Sequence, residues 1–309
     1  MVQAQVQVGK TLKSFFGLSR MSHSVLDVAH PAVGALLVLG AMPRLSTALI
    51  GLCAAFAGYT AVFALNDVMD CPVDCEKISL FGKNKECFDL DSVGDRHPLA
   101  QGQIRFSAAV GWVVFWGLLA LVLAFLLNPV CALLMSGAVV LELSYCRLLR
   151  VTHWKAVLSG AMVAVGGLAG VFAVQRSPSL PLVVLFLTWA FAWEVGCRNI
   201  PNDWSDLEED SRLGIRTVPV RYGQRASSWI SFAFQIVTVL AGIAMGTSLR
   251  SVHLYVFMAG ALTAGIVFIV MPGVLWVRRQ TTRAALSFFN RACFYPLAVC
   301  LVAGVALAV

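Results

Sequence analysis

Charge is scarce in this chain. Only 13% of its 309 residues are Asp, Glu, Lys or Arg, against about 25% in an ordinary soluble domain, and 59% are hydrophobic. That shortage excludes a soluble globular protein and leaves a polytopic membrane protein. Acid is scarcer than base, with 16 Asp and Glu against 23 Lys and Arg. A net charge of +7 would suit a nucleic-acid partner, but the basic residues cluster between apolar runs, as topogenic charge does, so no nucleic acid is expected. The nine cysteines are scattered and form no paired metal-ligand pattern. Cys71, Cys75 and Cys87 share one loop, and Cys-x-x-x-Cys without nearby histidines is a weak zinc signal. Met1 to Arg20 lacks the long apolar core of a cleaved signal. It reads as a disordered polar leader over residues 1–21, in preference to a surface-lying amphipathic turn, followed by a single transmembrane domain over 22–309.

A membrane-spanning helix needs about 20 predominantly apolar residues. Nine stretches qualify, at roughly 24–42, 46–65, 106–127, 129–147, 154–174, 180–200, 226–248, 252–277 and 288–309. The expected fold is all-α, a helical bundle of about nine spans around a central cavity that opens near the cytoplasmic side. With a cytoplasmic N-terminus, 20 of the 23 basic residues fall on that side, and only Arg44, Arg176 and Arg250 on the other. One missed span would scramble this asymmetry, so the charges support both the count and a multi-pass integral membrane protein (in the inner membrane if bacterial).

The few acids are concentrated. Eight lie between Asp67 and Asp95, five between Asp203 and Asp210, and only Asp27, Glu142 and Glu194 elsewhere. Within these clusters one pattern, N-D-x-x-D-x-x-x-D, occurs twice, 136 residues apart. It runs from Asn66 through Asp67 and Asp70 to Asp74, then from Asn202 through Asp203 and Asp206 to Asp210. On a helix these four positions fall within an arc of about 100°. Carboxylates so close need a counter-ion, and hard oxygen donors point to Mg²⁺, which usually also holds phosphate. Both copies end long apolar runs on the cytoplasmic side and can face one cavity. Pro72 inside the first copy predicts a bend or end of that helix between Asp70 and Asp74.

A diphosphate between the two clusters can coexist with six aspartates only through bridging cations. Arg96, Arg147, Arg150, Lys155 and Arg212 are candidates for its remaining oxygens. A diphosphate handled among apolar helices suggests a prenyl diphosphate, with its tail among the spans and membrane lipid around them. Its departure leaves an allylic cation, which needs a dry aromatic chamber; Phe63, Phe191, Trp193 and Phe289 stand near the right depth. The competing class is a cation transporter, which predicts carboxylates deep in the spans; 13 of the 16 acids lie at the rim instead, and the exceptions Glu142 and Glu194, within about two turns of a cytoplasmic span end, are placed to line the cavity.

The paired motifs, together with His97-Pro98-Leu99-x-x-Gly102 and Gly214-x-x-Thr217-x-Pro219-Val220-x-x-Gly223, resemble those of the UbiA superfamily of intramembrane prenyltransferases. The likeness runs from about Ser22 to the end. It implies a nine-span bundle, Mg²⁺ as cofactor, and transfer of a prenyl group from a prenyl diphosphate to an acceptor. That acceptor is most often a small aromatic molecule of quinone biosynthesis, and elsewhere in the superfamily a haem, chlorophyllide, glycerophosphate lipid or sugar phosphate. By motif match Asp70, Asp74, Asp206 and Asp210 are the catalytic carboxylates. With Asn66 and Asn202 they form the metal–diphosphate set, flanked by Asp67 and Asp203. Tyr145 and Arg150 resemble the family's Tyr-x-x-x-Lys-Arg segment; Leu149 stands where lysine is frequent, with Lys155 as its candidate substitute. Arg96 precedes His97 where the family carries arginine before Pro-Leu, and His30-Pro31 stands where many members have Arg-Pro. About 16 extra residues separate Asp74 from Pro98.

Overall fold

Long apolar runs in this chain carry their own backbone hydrogen bonds, the condition for crossing lipid. The computed structural model describes residues 12–82, 90 and 96–309. Among the described residues there are nine helices long and apolar enough to cross a membrane, and no strand. They are α1 (Met21–Leu39), α2 (Leu45–Phe81), α3 (Phe106–Leu127), α4 (Pro129–Arg147), α5 (Lys155–Val174), α6 (Leu180–Ser205), α7 (Val218–Ser248), α8 (Val252–Arg279) and α9 (Thr282–Ala308). The protein is an all-helical, multi-pass integral membrane protein. Sequence neighbours pack together (α2 on α3, α4 on α5, α5 on α6, α6 on α7, α8 on α9), and α1 lies against α5 and α9.

The expected spans agree with these helices except at three ends. Helix α2 continues 16 residues past the expected end at 65, α6 runs five past 200, and α9 begins at 282 rather than 288; in α7 Gly223 (φ 79°, ψ 167°) separates the first turn from a continuous helix that starts close to the expected 226. The added turns carry polar residues, so apolar content alone misses them; of these turns Asp67 and Asp74 in α2, Trp204 in α6, and Ala284, Ala285 and Leu286 in α9 are buried. At 37 residues α2 is about 55 Å long, well beyond an apolar layer of about 30 Å, and its last turns stand clear of the hydrocarbon.

Pro72 does not break α2, contrary to expectation. Tertiary contacts oppose the kink: Ala64, Val68 and Cys71 pack with Leu18, Leu99, Ile104 and Trp112 on one side, and His97 ties Asp67 to Asp74 on the other. The leader departs from expectation too. Residues 12–18 are helical, Leu18 and Ser19 are buried, Phe15 lies 4.7 Å from Trp112, and the Trp112 indole N–H donates to Ser19 Oγ at 2.8 Å. Residues 1–11, and with 83–89 the third loop cysteine Cys87, lie outside the described residues.

Two prolines are accommodated differently. Pro201 and Pro272 each follow a π-helical stretch, Glu194–Asn199 and Ile266–Val270. The wider turn lodges the carbonyl that each proline leaves without an N–H donor. In α1, Pro31 frees the Asp27 carbonyl, and the His30 ring Nδ1 lies 3.2 Å from it.

Helices α1 and α5 cross closely because α5 carries Gly167 and Gly170 against His30 and Pro31. A Cβ at Gly170 would lie 2.1 Å from the Pro31 carbonyl oxygen, a backbone atom with no freedom to yield. Gly170→Ala should therefore lower the thermal unfolding midpoint of the detergent-solubilised protein, at a cost of about 1–3 kcal/mol. Gly304→Ala, where a Cβ meets nothing within 4 Å, should leave it unchanged. Equal midpoints for the two variants would refute the account of the crossing.

Candidate functional site

The two acidic motifs take different shapes. Asn66, Asp67, Asp70 and Asp74 all lie on continuous α2, so the expected shared face holds there. In the second copy the helix stops at Asp206 (φ −100°, ψ 9°); Asn202 and Asp203 sit on the last turn of α6, and Asp210 on a separate short helix, Leu207–Arg212. The break expected at Pro72 thus falls in the other motif. An Asp210 N–H to Asp206 carbonyl bond of 2.9 Å joins its two pieces.

Each carboxylate cluster draws basic side chains to it. His97, at φ 50° in the left-handed region rare for a residue with a Cβ, places Nδ1 2.8 Å from Asp74 and 3.5 Å from Asp67. Burial alone would lower its pKa, but the two carboxylates outweigh burial and hold it up to about 9. Asp67, Asp74 and His97 bring one ligand atom each within 4.8 Å of one another. Lys77, one turn beyond Asp74, reaches across to Asp206 at 3.2 Å and Glu209 at 2.6 Å, and Arg96 lies 3.7 Å from Asp206. Asp210 is buried near Asp203 and Asp206; burial and their charges push its pKa up to about 8.

Lys155 does stand beside Tyr145. It is 2% exposed, donates to the Tyr145 hydroxyl at 3.2 Å, lies 4.8 Å from that ring's centre, and is 3.5 Å from Asp203. Arg150 and Arg212 do not join the cluster. Arg150 pairs with Glu76 at the exposed rim, and Arg212 with Glu208 at 2.7 Å, both side chains largely in solvent.

Below the rim a cavity of about 390 Å³ runs between α2, α3, α4 and α5. Its walls are small and apolar, including Ala54, Gly58 and Ala61 from α2 and Gly117, Ala120 and Ala124 from α3. Asn66 and Asn202, one from each motif, line it, as do Glu142, Tyr145, Phe63 and Phe289. Of the four aromatics expected at this depth, Trp193 instead donates to the Ala292 carbonyl at 2.9 Å, and Phe191 packs beside Phe234.

Sequence reasoning missed several residues here. Arg20 reaches from the leader, its Nη2 donating to Asn66 Oδ1 at 3.2 Å, while Asn66 Nδ2 donates to Glu142 Oε1 at 3.0 Å. Lys77 follows the first motif at helical spacing, a signal that was legible. Glu142 and Glu194 line the cavity as expected; Asp27, Ser159 and Arg198 join them from three different helices, and only Arg198 is linked to Glu194 by helical i,i+4 spacing. Removing Lys155 leaves Asp203 buried without its cation, so Lys155→Met should cost about 3–5 kcal/mol. Arg212→Ala should leave stability unchanged; equal thermal shifts in the two variants would contradict this placement.

Comparison with known proteins bears on this geometry. Residues 29–294 match the UbiA prenyltransferase family. The chain is 27% identical to a 4-hydroxybenzoate octaprenyltransferase of Hydrogenovibrio crunogenus, covering 90% of this chain and 92% of that one. It is 24% identical to a digeranylgeranylglyceryl phosphate synthase of Thermococcus sibiricus, covering 75% and 76%. In fold it is similar to a UbiA homolog from Aeropyrum pernix K1 (TM-score 0.70, 20% identity, covering 93% and 98%). It is equally similar to a UbiA homolog from Archaeoglobus fulgidus bound to GPP and Mg²⁺ (TM-score 0.70, 17% identity, covering 96% and 100%). With the family match spanning most of its length, the chain belongs to the UbiA prenyltransferase family.

Proposed function

We propose that this enzyme binds a prenyl diphosphate and Mg²⁺ between its two acidic motifs and transfers the prenyl group to a small aromatic acceptor. The observation that carries the reading is the single cavity lined by Asn66 and Asn202 at one end and by small apolar side chains along its length. The ionic head and apolar tail of a prenyl diphosphate match those two regions.

The donor set suits magnesium. Its atoms are hard oxygens, and Asp67 Oδ2 and Asp203 Oδ2 are buried without a hydrogen-bond partner. Asn66, Asp70, Asp74, Asn202, Asp206 and Asp210 would hold the metal–diphosphate complex, with Asp67 and Asp203 beside them. Bound Mg²⁺ supplies Lewis-acid neutralisation of the leaving diphosphate. The chain's own cations assist. Arg20, on Asn66, and Lys155, oriented by Tyr145, are the groups near the head, and Lys77 and Arg96 can exchange Asp206 for phosphate oxygens. Phe63 and Phe289 offer ring faces to the allylic cation, and the apolar walls exclude water that would quench it. The charge asymmetry of the loops supports a cytoplasmic N-terminus and cytoplasmic acidic motifs. A glycerophosphate acceptor is the second reading, favoured by the similarity to the Thermococcus relative.

The test is prenyl transfer in membranes containing the protein, with Mg²⁺, labelled prenyl diphosphates of several lengths, and aromatic and glycerophosphate acceptors. Product should disappear with EDTA and fall about 100-fold or more in Asp70→Ala and Asp206→Ala. Product that survives in both variants would defeat the assignment.

The raised pKa of Asp210 adds a pH dependence. Below about pH 8 the carboxyl holds a proton that a cation must displace, so Mg²⁺ affinity should rise between pH 6.5 and 8.5, by up to about tenfold per unit. The slope should flatten in Asp210→Asn. An unchanged slope in that variant would assign the pH dependence to another group.

A further inference from the structure

Past Asp210 the chain has no further acid, and its nine remaining basic residues are all arginine. Topogenic charge accounts for the number of cations there, since lysine and arginine serve it equally. It does not account for where two of them sit. An open groove of about 620 Å³ runs between α7 and α8, away from the central cavity. Arg225, Trp229 and Phe232 line it from α7, Val274, Val277 and Arg278 from α8, and Gln280 closes its end. Trp204, two residues past Asn202, donates its indole N–H to the Gln224 carbonyl at 3.0 Å, so this end of the groove lies at the end of the bundle that carries the acidic motifs.

The groove changes character along its length. Because α7 and α8 run antiparallel, Arg225 and Arg278 both stand at the rim, and Phe232 lies about 10 Å further along α7, toward the middle of the bundle. Gln280, at φ 51°, ends α8 and turns its amide across to α7, donating to Ser228 Oγ at 2.7 Å and to the Val277 carbonyl at 2.8 Å. Ser228 Oγ donates in turn to the Arg225 carbonyl at 2.9 Å. The rim is thus tied together by its own polar groups, which leaves the two guanidiniums spare. Both arginines are exposed, and neither guanidinium has an ion pair or hydrogen bond among the described residues. Like charges lining one groove repel, and α7 and α8 contain no carboxylate to offset them. One turn deeper, Trp229 is 55% exposed and stands edge-on to Phe232 at 5.9 Å.

An anion is what the rim lacks, and paired guanidinium forks suit phosphate oxygens. A soluble phosphate would use the rim alone. A phospholipid would use the whole groove, with its phosphate at the arginines, its glycerol at the depth of the indole, and an acyl chain along Phe232 and Val274. A zwitterionic headgroup would bring its own cation to the arginines, so a net negative one is favoured. We propose that this groove is a binding site for an anionic phospholipid of the surrounding membrane. No residue lines both the groove and the central cavity, so the site is independent of the prenyl-transfer reading.

The experiment measures lipid binding to the full chain in detergent micelles by native mass spectrometry. The probes are phosphatidylglycerol and phosphatidylcholine of equal chain length, with inorganic phosphate as the soluble competitor. The parent should bind phosphatidylglycerol about tenfold more tightly than phosphatidylcholine, and about 0.5 M NaCl should remove most of that preference. Arg225→Gln combined with Arg278→Gln should abolish the preference. Arg221→Gln combined with Arg283→Gln, an equal loss of charge at the same end but outside the groove, should keep it within about twofold. Trp229→Ala should weaken phosphatidylglycerol binding about threefold or more. Equal affinity for the two lipids in the parent, an unchanged preference in the groove pair, or an equal loss in both pairs overturns the proposal. Displacement of the lipid by inorganic phosphate at equal concentration overturns it too, in favour of a soluble anion. Should the groove pair fail to fold, the two single arginine variants and Trp229→Ala decide.

Discussion

Lys77 leaves the helix that carries the first acidic motif and closes on Asp206 and Glu209 of the second, at 3.2 and 2.6 Å. This bridge belongs to a wider constraint. Carboxylates withdrawn from water must be matched by positive charge, because an unmatched one costs several kcal/mol. His97 meets that requirement for Asp67 and Asp74, Lys155 for Asp203, and Arg198 for Asp27. The partners come from the loop before α3, from the start of α5 and from the middle of α6. Pairing charge therefore also fixes where the helices meet, and sets both motifs around one cavity mouth.

The same constraint accounts for departures from regular helix. Asp206 ends its helix where α2 and the second motif approach, turning Asp210 toward Asp203 and Asp206. The π-turn before Pro201 widens α6 so that Glu194 and Arg198 share the cavity wall, and Arg198 reaches Asp27 across the bundle. Of the two π-turns, Glu194–Asn199 supplies cavity wall, where irregular backbone is tolerated at membrane depth, and Ile266–Val270 does not border it. Helix α2 shows the converse: its proline sits in a stretch braced on both sides, and the helix runs on.

Much of the fold was legible from composition and charge placement. Nine apolar runs became nine helices, and spacing alone singles out the repeated pattern of six aspartates and two asparagines. Lys155 is only a candidate for the place of a missing lysine in the sequence, and the structure sets it beside Tyr145. Arg150 and Arg212 were named for their type and position in the chain, but their side chains turn outward to exposed acids. The leader was read as unstructured because it is polar, although Leu18 and Phe15 were enough to dock it.

The sequence by itself determined the class of molecule, the number of spans and the repeated donor set, because these follow from hydrophobic length, charge asymmetry and helical periodicity, all local properties. Only the tertiary structure decided which cation meets which carboxylate, that Arg20 reaches Asn66, and that Asp27 and Ser159 meet Glu194 and Arg198 at the cavity wall. Those residues lie on α1, α5 and α6, up to 171 positions apart. Side chains that far apart become neighbours through helix packing, which no local pattern records, and it is their proximity in a low-dielectric interior that gives them their chemistry.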